Sequence, residues 1–225
     1  MTTPQPKKYG YIRDLRGRHT GDRAVILAKG PSLDVWWSRG GCGSDRTSRV
    51  VMAINEIVLL PGLKPDYWFW PHPEHPEQVD RKGGSLAGVT QIFDEYVLRT
   101  YPDFCAEQMK RCPSLIHMRG IDAPDDPYAP PRNATTGSTA FFCAGLWGIR
   151  QVLAVGFDAM DRPADRRYAH CLLPWTIAKK HDEPTYKRNN RSIDAVIKRW
   201  NLKVDWYHRQ VTDDEIDQAG ERFDG

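Results

Sequence analysis

The sequence predicts an α/β protein, Rossmann-like, with a mostly parallel sheet flanked by helices on both faces and a basic lid segment near the C-terminal end. Three observations carry that expectation. Ala24–Ala28, Arg49–Ile54 and Gln151–Val155 are short apolar runs of the kind that form strands buried on both faces. Each stops abruptly, at Lys29-Gly30-Pro31-Ser32, at Asn55 and at Gly156-Phe157-Asp158. Stretches with helical spacing lie between the runs, the alternation that parallel strands require of their crossovers.

Residues 1–20 are polar and rich in Lys and Arg, so a flexible arm is expected there. Ala24–Ala28 is the first strand, and the loop after it is a site former. Gly30 lets backbone approach a ligand, Ser32 offers a hydroxyl and a helix cap, and Lys29 adds positive charge. Together they suit a phosphate, although the same residues also serve as plain punctuation between a strand and a helix. Leu33–Trp37 begins a short helix that the Gly-rich stretch Arg39–Ser44 breaks. Arg49–Ile54 is the second strand, with Asn55 at its carboxyl end.

The aromatic run Tyr67–Trp70 favours a third strand. Pro71–Glu77 follows with two His and two Glu, which invites a metal; its three prolines oppose helical spacing, so a rigid polar loop is expected and no metal ligand is assigned. Gly83-Gly84 is a break, and Gln91–Lys110 reads as one or two helical segments. Ser114–Met118 is a fourth strand, and Asp122–Arg132, with three Asp and four Pro, is a surface loop.

Thr135-Thr136-Gly137-Ser138 leads into Thr139–Trp147, a small-and-large apolar pattern expected of a buried helix, which Gly148 stops. Gln151–Val155 is a strand, and Asp158 puts a carboxylate just past its end. Residues 159–200 carry ten Lys or Arg against five acids. That suits a lid over an anion, and equally a solvated basic surface. Ser192–Trp200 is a short helix with Ile193, Val196, Ile197 and Trp200 on one face. Lys203–Tyr207 is the last strand, and the acidic tail from Asp213 is expected to be peripheral. Parallel sheets hold ligands outside the carboxyl ends of their strands, so Lys29–Ser32, Asn55 and Asp158 are expected to converge on one crevice.

Composition narrows the function classes. The chain has 225 residues, 40% of them hydrophobic, enough for one sizeable core. A formal net charge of +3 is low for a dedicated nucleic-acid binder and comfortable for an anionic ligand. No run approaches the roughly 18 apolar residues of a membrane span, and Met1–Lys8 lacks a signal-peptide core. A cytoplasmic protein is expected. Cysteines at 42, 105, 112, 143 and 171 fit no zinc spacing and read as reduced thiols, with Cys143 and Cys171 as packing residues.

Ile26–Leu33, the strand ending in Asn55, Thr136-Gly137-Ser138 before a buried helix, and Val155-Gly156-Phe157-Asp158 occur in a familiar order. Over roughly residues 23 to 207 the chain resembles the bacterial sialyltransferases of glycosyltransferase family 42. It also resembles a wider group that includes motility-associated glycosyltransferases and archaeal pterin diphosphokinases of the DUF115 (MptE-like) type. The resemblance implies a Rossmann-type nucleotide-binding domain over 21–210 with a lid at about 159–190, between an arm at 1–20 and an acidic tail at 211–225. It implies a nucleotide sugar donor, a CMP-sugar or another, bound without a required metal. Lys29, Gly30, Pro31 and Ser32 would lie against phosphate and ribose, Asn55 would touch the donor, and Thr136, Gly137 and Ser138 would hold the nucleotide.

The resemblance also implies that Asp158 anchors the base of the lid and that Tyr168 hydrogen-bonds the departing phosphate. A second family tyrosine falls near Met160 and is missing. The family's catalytic histidine falls near Lys187 or Arg188 and is missing too, which leaves His170 and His181 as histidine candidates within the lid and Asp158 as another base. Three functions stay open. The first is metal-independent, inverting sugar transfer to an acceptor glycan, with nucleic acid as the other acceptor class. The second is ATP-dependent diphosphate transfer with Mg²⁺, as in the pterin branch, for which only Asp158 and Asp161 suggest themselves. The third is a catalytically degenerate nucleotide-binding module. Homo-oligomerisation is a further expectation, since the sialyltransferases often assemble.

Overall fold

Parallel strands whose two faces are both apolar must be covered by helices on both sides, and the computed structural model shows that arrangement. It describes residues 10–41, 49–82, 86, 88–111, 115–118, 128, 130, 134–161, 169–172 and 183–223. The strands are β1 (Gly10–Tyr11), β2 (Arg23–Leu27), β3 (Arg49–Ile54), β4 (Tyr67–Trp70), β5 (Thr90–Asp94), β6 (Leu115–Met118), β7 (Gln151–Val155) and β8 (Lys203–Trp206). The helices are α1 (Ser32–Ser38), α2 (Glu74–Arg81), α3 (Glu95–Thr100), α4 (Pro102–Arg111), α5 (Thr136–Leu146), α6 (Glu183–Trp200) and α7 (Asp213–Glu221). One sheet of order β1-β6-β5-β4-β3-β2-β7-β8 results, and every pairing in it is parallel.

Alternation along the strands sorts side chains between two cores. Ala24, Ile26, Met52, Ile54, Tyr67, Phe69 and Ile92 pack with α5 and α6 on one face. Val25, Leu27, Val51, Ala53, Trp68, Trp70 and Phe93 pack on the other with residues of α1, α2, α3 and α4. All four residues of β4 are buried, and burying side chains of this size contributes roughly 1.5–3 kcal/mol each. The two buried indoles find acceptors: Trp68 Nε1 donates to the Asn55 carbonyl at 2.6 Å and Trp70 Nε1 to Gln91 Oε1 at 3.0 Å. Close approach of α5 to α6 depends on Gly145, where a Cβ would meet the Trp200 side chain at 2.3 Å.

Several expectations are corrected. The arm expected over 1–20 belongs to the fold from Gly10 onward: β1 pairs with β6, Ile12 and Leu15 are buried, and His19 Nε2 lies 2.7 Å from the Tyr67 hydroxyl. The stretch from Gln91, expected to be helical, opens with strand β5. The acidic tail is docked, with Val211, Ile216 and Ala219 of the α7 region packed around Val35 of α1. Pro71–Glu77 is not simply a loop, because α2 starts inside it with Pro73 as its N-cap and Pro76 in its first turn. Proline is tolerated there since first-turn N–H groups have no intrahelical acceptor. Finally, α6 starts at Glu183, well before the expected Ser192.

Cys105, Cys143 and Cys171 are free and buried, and Cys42 and Cys112 lie outside the described residues. Burial pushes the three described thiols up, Cys105 to about 11, so none is a thiolate at neutral pH. Among the described residues no helix is long and apolar enough to cross a membrane.

Candidate functional site

The order of the sheet sets the place of the site. From β2 the chain builds outward through β3, β4, β5 and β6, then returns to add β7 and β8 on the other side of β2. The loops after β2 and β7 therefore meet where the direction of building reverses. They do more than meet: pairing continues past the strands, with the Ala28 N–H donating to the Val155 carbonyl and the Gly30 N–H to the Gly156 carbonyl, both at 2.8 Å. Gly30 is needed for this approach, since a Cβ there would meet Asp158 Oδ2 at 2.3 Å and the Gly156 oxygen at 2.6 Å. The partner of the Gly30 backbone is thus the β7 loop.

Ser32 and Asp158 complete that junction. The Ser32 hydroxyl donates to Asp158 Oδ2 at 2.7 Å, and the Ser32 N–H donates to Asp158 Oδ1 at 3.1 Å. Both side chains are buried, Ser32 at 0% and Asp158 at 4% exposure. Ser32 is the first residue of α1 and not its cap; the carboxylate that caps this helix comes from the opposite loop. A hydroxyl so engaged is a structural lock.

Beside the junction lies a cleft of about 540 Å³. Of the residues singled out in the sequence, Lys29, Gly30 and Pro31 line it after β2, Asn55 after β3 and Asp158 after β7. Thr136 and Gly137 line it from the first turn of α5. Ser138 is buried, and its hydroxyl closes a capping box, accepting from the Thr135 N–H at 2.7 Å while the Ser138 N–H donates to Thr135 Oγ1 at 3.2 Å. The opposite wall is α6, through Tyr186, Arg188, Asn189 and Asn190. Asn190 Nδ2 fastens that wall to the turn after β7 by donating to the Ala159 carbonyl at 2.9 Å.

The cleft floor holds a pairing that the sequence did not reveal. Lys29 Nζ donates to both carboxylate oxygens of Glu56, at 3.2 and 3.0 Å, and the Glu56 side chain is fully buried. His75 Nε2 lies 3.7 Å from Glu56 Oε1, and its Nδ1 is 3.2 Å from the His72 carbonyl. Burial holds the His75 imidazole below its ordinary value, against the pull of the Glu56 carboxylate. His72 and His75 stack, with ring centroids 6.2 Å apart, and both line the cleft. Asn55 turns the chain from β3 toward Glu56 with a left-handed φ of 55°.

No family model matches the chain, and no curated protein matches it.

The remaining candidates sit elsewhere. The His170 N–H donates to Asp34 Oδ2 at 2.7 Å, and its ring lies against Gly220 of α7, so it is not among the residues lining the cleft. Tyr168 and His181 lie outside the described residues. Among the described residues no group of three or more His, Cys, Asp or Glu is placed to hold a metal ion. The two carboxylates that a magnesium reading would recruit are both engaged, Asp158 with Ser32 and Asp161 with Arg209 and His208.

Proposed function

We propose that the chain is a transferase that binds a nucleotide-activated sugar in this cleft and passes the sugar to an acceptor hydroxyl. The observation that carries the reading is the convergence, at the carboxyl ends of β2, β3, β4 and β7, of two cations, Lys29 and Arg188, with the first turn of α5. Unpaired N–H groups of a helix start and nearby cations are what a donor phosphate needs. In the reaction the acceptor oxygen attacks the anomeric carbon, the bond from that carbon to the phosphate oxygen breaks, and the nucleotide leaves with the electron pair. Lys29 and Arg188 offset the charge that develops on the phosphate. His72, in the cleft wall after β4, takes the acceptor proton, a role for which a neutral imidazole suits. No step runs through a metal.

Thermal unfolding in the presence of CMP, CDP, UDP, GDP, ATP and their sugar conjugates, with and without Mg²⁺, tests the reading. A ligand at about one hundred times its Kd adds about 2.7 kcal/mol, roughly 5–10 °C in a chain of this size. A metal-independent shift with a pyrimidine nucleotide or its sugar is expected; silence throughout at millimolar concentration removes the reading. A second reading, a nucleotide-binding module without transfer, is favoured by the position of His170 away from the cleft. Tight binding together with no transfer to any acceptor, unchanged by His72→Ala, would select it.

A further inference from the structure

The Lys29–Glu56–His75 cluster is built in a way that simple phosphate binding does not require. Lys29 lies in the loop after β2, yet its ammonium is held by a carboxylate with 0% exposure. An oxyanion that draws Lys29 into the cleft loosens that pair and takes one donor from a buried carboxylate, which is costly. A replacement donor stands ready. His75 Nε2 faces Glu56 Oε1 at 3.7 Å, slightly too far for a hydrogen bond, and Oε1 is also an acceptor for Lys29.

The tautomer follows from the other ring nitrogen. Nδ1 faces the His72 carbonyl, an acceptor only, so Nδ1 carries the hydrogen. In the neutral ring Nε2 then turns a lone pair toward a carboxylate. Protonation converts that contact into an N–H donor aimed at Glu56. Among the described residues, the charged and titratable groups that bear on the ring come from three segments: Glu56 after β3, Lys29 after β2 and His72 before α2.

We propose that Lys29, Glu56 and His75 form a proton-coupled oxyanion site, in which a tetrahedral oxyanion at Lys29 and a proton on the His75 ring favour one another. The inference rests on the nucleotide-cleft reading and adds that the donor phosphate enters with uptake of a proton. Protonation of His75 adds one positive charge to the cluster as the anion enters. Linkage makes the effect reciprocal, so the ligand raises the affinity of His75 for its proton by the factor by which the proton raises the affinity for the ligand.

The test is long-range ¹H–¹⁵N NMR of the histidine rings in the full chain, titrated from pH 5 to 8 alone, with sodium sulfate and with CMP. Sulfate stays a dianion over this range, so it reports on the protein's proton only. Both ligands are expected to raise the His75 midpoint by about one pH unit, with sulfate bound about tenfold tighter at the acid end. His75→Gln is expected to bind sulfate with a clearly weaker pH dependence than the parent. If CMP or sulfate shifts the Gly30 amide while the His75 midpoint stays fixed, the inference is overturned and the nucleotide reading stands. If neither ligand perturbs Gly30 or His75 at millimolar concentration, both are overturned.

Discussion

Two glycines decide whether the loops after β2 and β7 can zip together. Gly156 has φ of 76°, and a Cβ there would lie 1.9 Å from the Ala28 carbonyl oxygen, a backbone atom that cannot swing aside. At Gly30 the nearest obstacle is the Asp158 carboxylate, with the Gly156 carbonyl behind it at 2.6 Å. Gly156→Ala is therefore expected to destabilise the fold in urea unfolding more than Gly30→Ala, the former by about 3 kcal/mol or more and the latter by roughly 1–3 kcal/mol, each with a lower midpoint. Equal midpoints for the two variants and the parent would mean that the junction is not formed in solution. Asp34 illustrates the same economy of polar groups. It is fully buried on α1 and accepts from the main-chain N–H groups of His170 and Cys171, at 2.7 and 2.8 Å, so one carboxylate ties down residues 170–171 although burial pushes its pKa up.

Among the elements, α5 joins stability to the cleft. Its apolar body is buried throughout, while its first turn is open at Thr136 and Gly137. Thr135→Ala removes the cap and half of the capping box, and a loss of about 1 kcal/mol is expected in urea unfolding, with Thr135→Ser near the parent. A full-sized loss for the serine variant would show that packing, not capping, fixes this helix start. The elements also show what the sequence made legible. Central strands β2, β3, β4 and β7 were readable because burial on both faces leaves uninterrupted apolar runs, and the cleft at their carboxyl ends followed from topology. Strand β5 was not readable: Gln91 breaks its apolar run yet is buried, its amide oxygen satisfied by Trp70, and α3 follows at once with no intervening turn signal. The Glu56–His75 pair escaped for a different reason. It depends on the left-handed turn at Asn55 and on a helix that starts among prolines, and neither has a periodic signature.

At the scale of the whole molecule, the buried groups fix how stability responds to acid. Burial holds the folded His75 below the ordinary imidazole value near 6.5, so the unfolded chain binds this proton more tightly than the native one. The contribution of His75 is therefore complete above about pH 6.5 and is lost as pH falls below it. Asp161 acts lower: hydrogen bonding to Arg209 outweighs its desolvation and holds it at about 2, so its contribution is lost between the ordinary carboxylate range and that value. Because Asp161 is 40% exposed, screening keeps the term below about 1 kcal/mol. Asp34 opposes it, since burial raises its value and acid relieves the cost of its charge. Across the imidazole range His75 is the group to watch. The melting temperature of the parent is expected to fall from pH 7 to 4.5 more steeply than that of His75→Gln, and saturating sulfate is expected to flatten the parent's fall. Parallel profiles for the two proteins without ligand would show that the His75 ring is as easily protonated in the fold as outside it, removing the desolvation on which this acid response depends.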